Sequence, residues 1–146
     1  MSFPSFIDVP IEFQEDDFTC VPVCIKMILE HIRQINPGGF IPVSTLKEIS
    51  LAMGTDELGT PLSGTEGINE MLRKAHPSLE FEGKTNCTLS DIEKEIQSGK
   101  PVVAFLKMPY PHSILVTGIS KETLTVYYND PQKGKREIEM GEFMSC

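Results

Sequence analysis

The apolar residues change their spacing once along this chain, near Pro101, and that change constrains the fold more than any other feature. Before Pro101 they recur at three- and four-residue steps, the period of helices that bury one face. After Pro101 they form short uninterrupted or alternating runs, which favour strands. Helices that lead and strands that follow predict an α+β fold, with N-terminal helices packed on a C-terminal antiparallel sheet in one domain over residues 1–146.

Four helices are predicted before that change, and their ends carry local signals. Pro22 fits a first turn, where the N–H that proline lacks would have no partner. Ser63 and Glu66 form a capping box, and Gly54 and Gly99 follow the ends of two apolar stripes. In chain order, the predicted helices cover about Cys20–Ile35, Ser44–Met53, Ser63–Ala75 and the residues from Thr88 or Ser90 to Gly99.

Four strands are predicted after Pro101. The first of them, Val102–Leu106, is entirely apolar, which is typical of a central strand. Lys121 and Glu122 predict a turn that joins the second and third strands in a hairpin. The remaining predicted strands are Ser113–Thr117, Leu124–Tyr128 and Arg136–Met140.

The charge of the chain limits its partners. It holds 13 Lys and Arg against 21 Asp and Glu, a formal net charge of −8, whereas binding to nucleic acid depends on clustered cations. Its apolar runs are far shorter than the roughly 20 residues that span a bilayer, and residues 1–20 lack the basic start of a signal peptide. We therefore expect a cytoplasmic protein that binds no nucleic acid and does not insert into membranes.

Cys20, His112 and Asp130 are the candidate catalytic residues. Cys20 lies at the predicted N-terminus of the first helix, where unpaired N–H groups and the helix dipole stabilise a thiolate. His112 opens the second strand and Asp130 closes the third, so pairing through the Lys121–Glu122 turn is expected to place them side by side. Nucleophilic thiol catalysis requires such a thiolate, a base, and a carboxylate that orients the base.

Gln14 is the fourth candidate. It precedes Cys20 by six positions, on an extended segment that leads into the helix. Its side-chain amide and the backbone N–H of Cys20 would together give two donors to a developing oxyanion. This predicted site needs no cofactor.

The other cysteines and a nearby acidic pair have simpler interpretations. Cys24 is interpreted as a core residue, as a cysteine on an apolar helix face usually is. Cys20 and Cys24 lack the second pair of ligands that a zinc site needs, so no metal is expected. Asp16 and Asp17 are interpreted as a surface turn; the alternative is that they attract a basic substrate segment.

Short motifs follow one another in a characteristic order along nearly the whole chain. They are Val9-Pro10, Gln14, Cys20, Cys24–Leu29, Gly64-Thr65, Leu89 to Ala104, His112, Thr117–Ile119, Asn129–Pro131, Gly134 and Glu142-Phe143. In this ordered set the chain resembles the bacteriocin-processing, double-glycine-leader cysteine peptidases, which belong to the papain-like superfamily. The resemblance implies a papain-like fold in which Cys20 is the nucleophile, His112 the base, Asp130 the orienting acid and Gln14 the oxyanion donor.

Three functions are compatible with these residues. The leading one is a cysteine peptidase that cleaves a peptide or protein substrate through a thioester acyl-enzyme. An acyl or peptidyl transferase would use the same residues and differ only in the second nucleophile. A non-catalytic papain-like domain would bind a peptide without cleaving it.

The chain departs from the family pattern at two positions. The family commonly has glycine after the cysteine and often an aromatic residue after the histidine, where this chain has Val21 and Ser113.

Overall fold

A computed structural model describes residues 5–35, 45–61, 64–73, 81–83, 88–107 and 112–145 of the chain. Its elements, in chain order, are β1 (Ser5–Phe6), α1 (Cys20–Ile35), α2 (Leu46–Met53), α3 (Gly64–Arg73), α4 (Leu89–Gln97), β2 (Val102–Leu106), β3 (His112–Ser120), β4 (Thr125–Asp130), β5 (Gly134–Glu139) and α5 (Met140–Ser145). The predicted α+β order, with helices before an antiparallel sheet, is confirmed.

β3 is the centre of the sheet. It pairs antiparallel with β4 along one edge, and β5 continues the sheet beyond β4. Along its other edge it pairs with β2 at one end and with β1 at the other. The prediction that Val102–Leu106 is a central strand is therefore wrong, since β3 is its strand partner within the described residues. The apolar run also does not reflect full burial, because four of its residues are half-buried and Phe105 is 71% exposed.

The pairing of β3 with β4 shifts by one residue partway along. Near the turn Gly118 lies opposite Tyr127, and beyond the shift Val116 lies opposite Tyr128. Thr117 is therefore the extra residue on β3, as in a β-bulge. Because side chains alternate between the two faces of a sheet, a shift of one residue changes which side chains of the two strands share a face.

α1 is held between two apolar clusters. Towards the sheet, α1 residues including Cys24, Met27 and Ile28 belong to a cluster with Leu115 and Val116 of β3. A second cluster joins α1 to α2 and α3; its buried members are Val21, Ile25, Leu29, Ile49, Met53, Ile68 and Leu72. Packing on both sides fixes the position of the helix start, where Cys20 lies.

The helix starts and stops that the structure describes follow the local chemistry of the sequence. Thr45 and Thr88 each begin a helix with a reciprocal capping box, and Gly54 ends α2 in the left-handed conformation. Thr88, rather than Ser90, is thus the cap of α4. The capping box predicted from Ser63 and the helix stops predicted at residues 36–39 and 76–77 lie outside the described residues.

Three features of the structure were not predicted. β1 has only two residues, too few for a periodic signal. α5 does have a signal, because Met140, Phe143 and Met144 have helical spacing and Phe143 is buried. His31 lies between charged neighbours, which predicts exposure, but it follows Cys24 and Met27 on the inner face of α1 and is buried.

Substitution of Gly67 tests the packing of α3 on α2. A Cβ atom built at Gly67 would overlap the backbone oxygen of Ala52, which cannot move without displacing α2. Although alanine is the better helix former, by about 1 kcal/mol, we expect Gly67→Ala to lower the free energy of unfolding by about 1–3 kcal/mol through overpacking. The midpoint of urea unfolding measures this change.

Gly83→Ala is the matched control for that experiment. The same atom added at Gly83 would find Thr65 Oγ1 at 3.8 Å, an ordinary contact, so little change is expected. Equal stability of the two variants would contradict the close approach of α2 and α3.

Candidate active site

Cys20 is the first residue of α1 and is half-buried. The first N–H groups of a helix have no acceptor within it, and together they favour negative charge nearby. The thiol group of Cys20 is hydrogen-bonded to the side chain of His112 and to both the backbone and the hydroxyl of Ser113. The start of α1 and the first two residues of β3 therefore both stabilise negative charge on this sulfur atom.

His112 and Asp130 meet at one end of the sheet. Nε2 of His112 lies 2.8 Å from Oδ1 of Asp130, and the two side chains are only 8% and 7% exposed. The same carboxylate oxygen accepts a hydrogen bond of 2.8 Å from the backbone N–H of Gln132, which holds it in place. With Nε2 committed to Asp130, the other ring nitrogen, Nδ1, is the one available to Cys20.

The register shift in β3 explains how these two side chains reach each other. Leu115 lies opposite Asn129, so continuing the pairing by one residue places Asp130 opposite Ile114, on the same face as His112. Side chains related diagonally in this way are within reach of each other. With the register that holds near the turn, Asp130 would lie opposite Leu115, on the other face. Counting residues back from the turn predicts that the two residues lie side by side. In the structure they are related diagonally instead.

The three groups shift one another's pKa values. Burial raises the pKa of Cys20, but hydrogen bonds from His112 and Ser113 outweigh it and lower the pKa below that of an ordinary thiol. The hydrogen bond to Asp130, followed by that to Cys20, raises the pKa of His112 to about 9. Burial likewise raises the pKa of Asp130, and the bond from His112 reverses this, so that the pKa lies below its usual value. These shifts favour a thiolate, an imidazolium and a carboxylate near neutral pH.

Cys24 lies one helical turn after Cys20 and has the opposite chemistry. It is fully buried, and burial together with the negative charges of Cys20 and Asp130 raises its pKa well above the ordinary value. A thiol that is protonated and inaccessible is unreactive. Its place in the core cluster between α1 and the sheet confirms its interpretation as a core residue.

Gln14 lies beside this group, although its described hydrogen bonds do not reach Cys20. Its backbone N–H donates to the oxygen of Pro131 at 2.9 Å, which ties its segment to the residue after Asp130. Its side-chain Nε2 donates to the backbone oxygen of Asp16. Its Oε1 is buried and has no partner among the described residues. The structure thus brings Cys20, His112 and Asp130 together and places Gln14 next to them.

Sequence reasoning missed two residues that support the site. Ser113 was noted only as a departure from the family pattern, yet it is 2% exposed and contacts the Cys20 thiol. Asn129 is equally buried, and its Nδ2 donates to the backbone oxygen of Val9 at 3.0 Å and to Met27 Sδ at 3.6 Å. The signal for Asn129 was available: an amide within an apolar strand must find partners when it is buried.

The described residues contain neither a metal cluster nor a membrane-spanning helix. No three His, Cys, Asp or Glu side chains within those ranges converge as a metal site would require. The helices described there are all too short or too polar to cross a bilayer.

Comparison with known proteins gives similarities that extend along almost the whole chain. Residues 6–146 match the model of the Peptidase_C39 like family. Over 135 residues the chain is 27% identical to the lactococcin-G-processing and transport ATP-binding protein LagD of Lactococcus lactis subsp. lactis. That match covers 91% of this chain but only 17% of LagD, so the chain spans less than a fifth of that relative.

A solved structure is similar to the fold described above. It is the crystal structure of a double glycine motif protease from an AMS/PCAT transporter in complex with the leader peptide. The TM-score is 0.65 at 20% identity, covering 94% of this chain and 84% of that one, and this likeness confirms the predicted papain-like fold. Because the family model matches residues 6–146, the chain belongs to the Peptidase_C39-like family.

Proposed function

We propose that this chain is a cysteine peptidase in which Cys20, His112 and Asp130 form the catalytic triad. The observation that carries the proposal is that His112 is hydrogen-bonded to Cys20 and to Asp130 at the same time. A buried imidazole that joins a low-pKa thiol to a carboxylate is what thiol acyl transfer needs. A domain that only binds peptides has no need for such shifted pKa values.

The first half of the reaction forms a thioester. Cys20 Sγ, already a thiolate, attacks the carbonyl carbon of the scissile peptide bond and produces a tetrahedral oxyanion. When this intermediate collapses, the carbon–nitrogen bond breaks and His112 gives its Nδ1 proton to the leaving amine. The hydrogen bond from Asp130 keeps the imidazole oriented throughout.

The second half regenerates the enzyme. His112, now neutral, takes a proton from a water molecule as the water oxygen attacks the thioester carbon. Collapse of this second intermediate expels Cys20 Sγ as a thiolate and releases the acid. The imidazolium and the thiolate are then restored. An acyl or peptidyl transferase would differ here only by using an amine in place of water.

Gln14 is proposed as the side-chain donor to the oxyanion. Its amide nitrogen has two hydrogens, and one of them is bonded to the backbone oxygen of Asp16. The second hydrogen and the backbone N–H of Cys20 would form a two-donor oxyanion hole. The hydrogen bond between Gln14 and Pro131 supports this role, because it holds the Gln14 segment beside the triad.

The proposed substrate is a peptide cleaved after a double glycine. The name of LagD describes a protein that processes lactococcin G, and the similar solved structure is described as a double glycine motif protease with its leader peptide. A fluorogenic peptide amide ending in two glycines is therefore the probe for the experiments below. Activity that requires Cys20 would support the proposal, and the lack of any cleavage would contradict it.

Alkylation tests the state of the Cys20 thiol. Because its pKa is lowered, we expect iodoacetamide to modify Cys20 below neutral pH, while buried Cys24 stays unmodified. In His112→Ala the largest opposing hydrogen bond is lost and burial still raises the pKa, so alkylation should shift to higher pH. Mass spectrometry identifies the modified residue. Equal labelling of the cysteines would favour the non-catalytic peptide-binding domain.

The pH profile of turnover tests the role of Asp130. Activity should rise as pH increases through the lowered pKa of Cys20, where the thiolate forms. It should fall as pH increases through about 9, where His112 loses its proton. Asp130→Asn removes the main cause of the raised pKa of His112, so the alkaline limit should move to lower pH.

Asp8→Asn is the matched control for the Asp130 variant. Asp8 is exposed and pairs with Lys135 at 3.0 Å, and the same loss of one charge there should leave the pH limits unchanged. An alkaline limit that stays in place in Asp130→Asn would remove Asp130 from the proposed triad.

Gln14→Ala tests the oxyanion donor. Loss of one such donor should lower kcat about 10²–10³-fold. The melting temperature should change little, because the side-chain bond that is lost involves an exposed turn. Alkylation of Cys20 should persist, since that reaction develops no oxyanion. A large fall in melting temperature with unchanged specific activity would instead indicate a structural role.

A further inference from the structure

Asp16 lies in the loop between Gln14 and Cys20 and accepts hydrogen bonds from Gln14, Phe18 and Thr19. Its Oδ1 accepts from Thr19 Oγ1 at 2.7 Å and from the backbone N–H of Phe18 at 3.2 Å. Its backbone oxygen accepts from Gln14 Nε2. The bond to a backbone N–H two residues later is an Asx turn, which fixes the direction of the Asp16 peptide group.

The bond to Asp16 determines which way the Gln14 amide is turned. A backbone oxygen only accepts hydrogen bonds, so Nε2 rather than Oε1 of Gln14 must face it. Oε1 then points to a buried place where the described residues offer it no partner. The hydrogen bond to Asp16 therefore fixes the orientation of the amide and leaves the second hydrogen of Nε2 available.

The carboxylate of Asp16 also holds the residue that begins the helix. Thr45 and Thr88 occupy the corresponding position in α2 and α4, and each accepts a hydrogen bond from a backbone N–H of its helix. Thr19, in contrast, directs its hydroxyl hydrogen to Asp16. The third helical residue of α1 is Pro22, which has no N–H for a cap to satisfy. Asp16 thus anchors the residue that precedes α1 from outside the helix.

We propose that Asp16 is a positioning residue that sets the oxyanion hole, because one loop residue orients the Gln14 amide and anchors Thr19 next to the Cys20 N–H. This inference rests on the proposed peptidase function. The carboxylate of Asp16 holds Thr19 directly, and through the Asx turn it fixes the backbone oxygen that accepts from Gln14. It does not touch the substrate. Its loss should therefore weaken stabilisation of the oxyanion while the thiolate, which depends on His112 and Ser113, stays reactive.

Asp16→Ala, compared with Asp17→Ala, tests the inference. Asp17 is the next residue in the same loop and is exposed like Asp16, so each variant removes one exposed carboxylate from this loop. With the fluorogenic double-glycine amide, we expect Asp16→Ala to lower kcat about 10- to 10²-fold, less than the roughly 10²–10³-fold loss for an oxyanion donor itself. KM and the rate of Cys20 alkylation should stay within about twofold of the native values, as should all three quantities in Asp17→Ala.

Three further measurements separate positioning from a structural role. A peptide aldehyde ending in two glycines forms a tetrahedral adduct with the thiol, so its inhibition constant in Asp16→Ala should rise in parallel with the fall in kcat. Asp16→Asn keeps an Oδ1 acceptor and should restore most of the activity. In a Gln14→Ala background, Asp16→Ala should cost less than it does alone, because the two residues act together.

Three results would overturn the role of Asp16 while leaving the peptidase proposal intact. They are equal activity of the Asp16→Ala and Asp17→Ala variants, a fall in alkylation that matches the fall in kcat, and full additivity with Gln14→Ala. Failure of the native chain to cleave or to bind the aldehyde would instead overturn the peptidase function, and this inference with it.

Discussion

The hydrogen bond between His112 and Asp130 is the interaction on which the rest of the site depends. At 2.8 Å and with both side chains almost inaccessible, it keeps a carboxylate ionised and an imidazole protonated where burial alone would neutralise both. The protonated imidazole in turn lowers the pKa of Cys20. The site therefore requires that the paired ends of β3 and β4 lie next to the first turn of α1. The apolar clusters on both sides of α1 hold the helix in that position.

The sequence predicted most of this arrangement, and the exceptions have physical causes. The limits of α1 and the cap of α4 were predictable because apolar period and capping chemistry are local properties. The pairing of β2 with β3 alone among the described strands was not, since strand order is decided by pairing over long distances. The meeting of His112 with Asp130 was anticipated from the hairpin, but the shift that places them on one face was invisible. No residue type marks Thr117 as the extra one.

The loop from Gln14 to Cys20 shows a second limit of sequence reasoning. Asp16 and Asp17 are identical in type and adjacent, so composition assigns them the same role. Both residues are exposed, but Asp16 accepts hydrogen bonds from Phe18, Thr19 and Gln14. Backbone direction, which no side-chain identity reveals, separates them. The same is true of Ser113, whose contact with Cys20 follows from its place beside His112 on β3.

Because Thr117 of β3 has no partner on β4, the number of residues between the shift and the site decides whether His112 and Asp130 share a face of the sheet. Each residue inserted into or deleted from one strand between the shift and the site exchanges the two faces for every side chain beyond it. If one strand changes length by one residue in this segment, His112 and Asp130 stay on one face only if the hairpin also gains or loses a bulge. Changes made in the turn at residues 121–124, by contrast, leave the pairing beyond the shift untouched. The turn of the β3–β4 hairpin therefore tolerates changes in length. At the end that holds the site, only an even change in the number of residues keeps the two side chains on the same face.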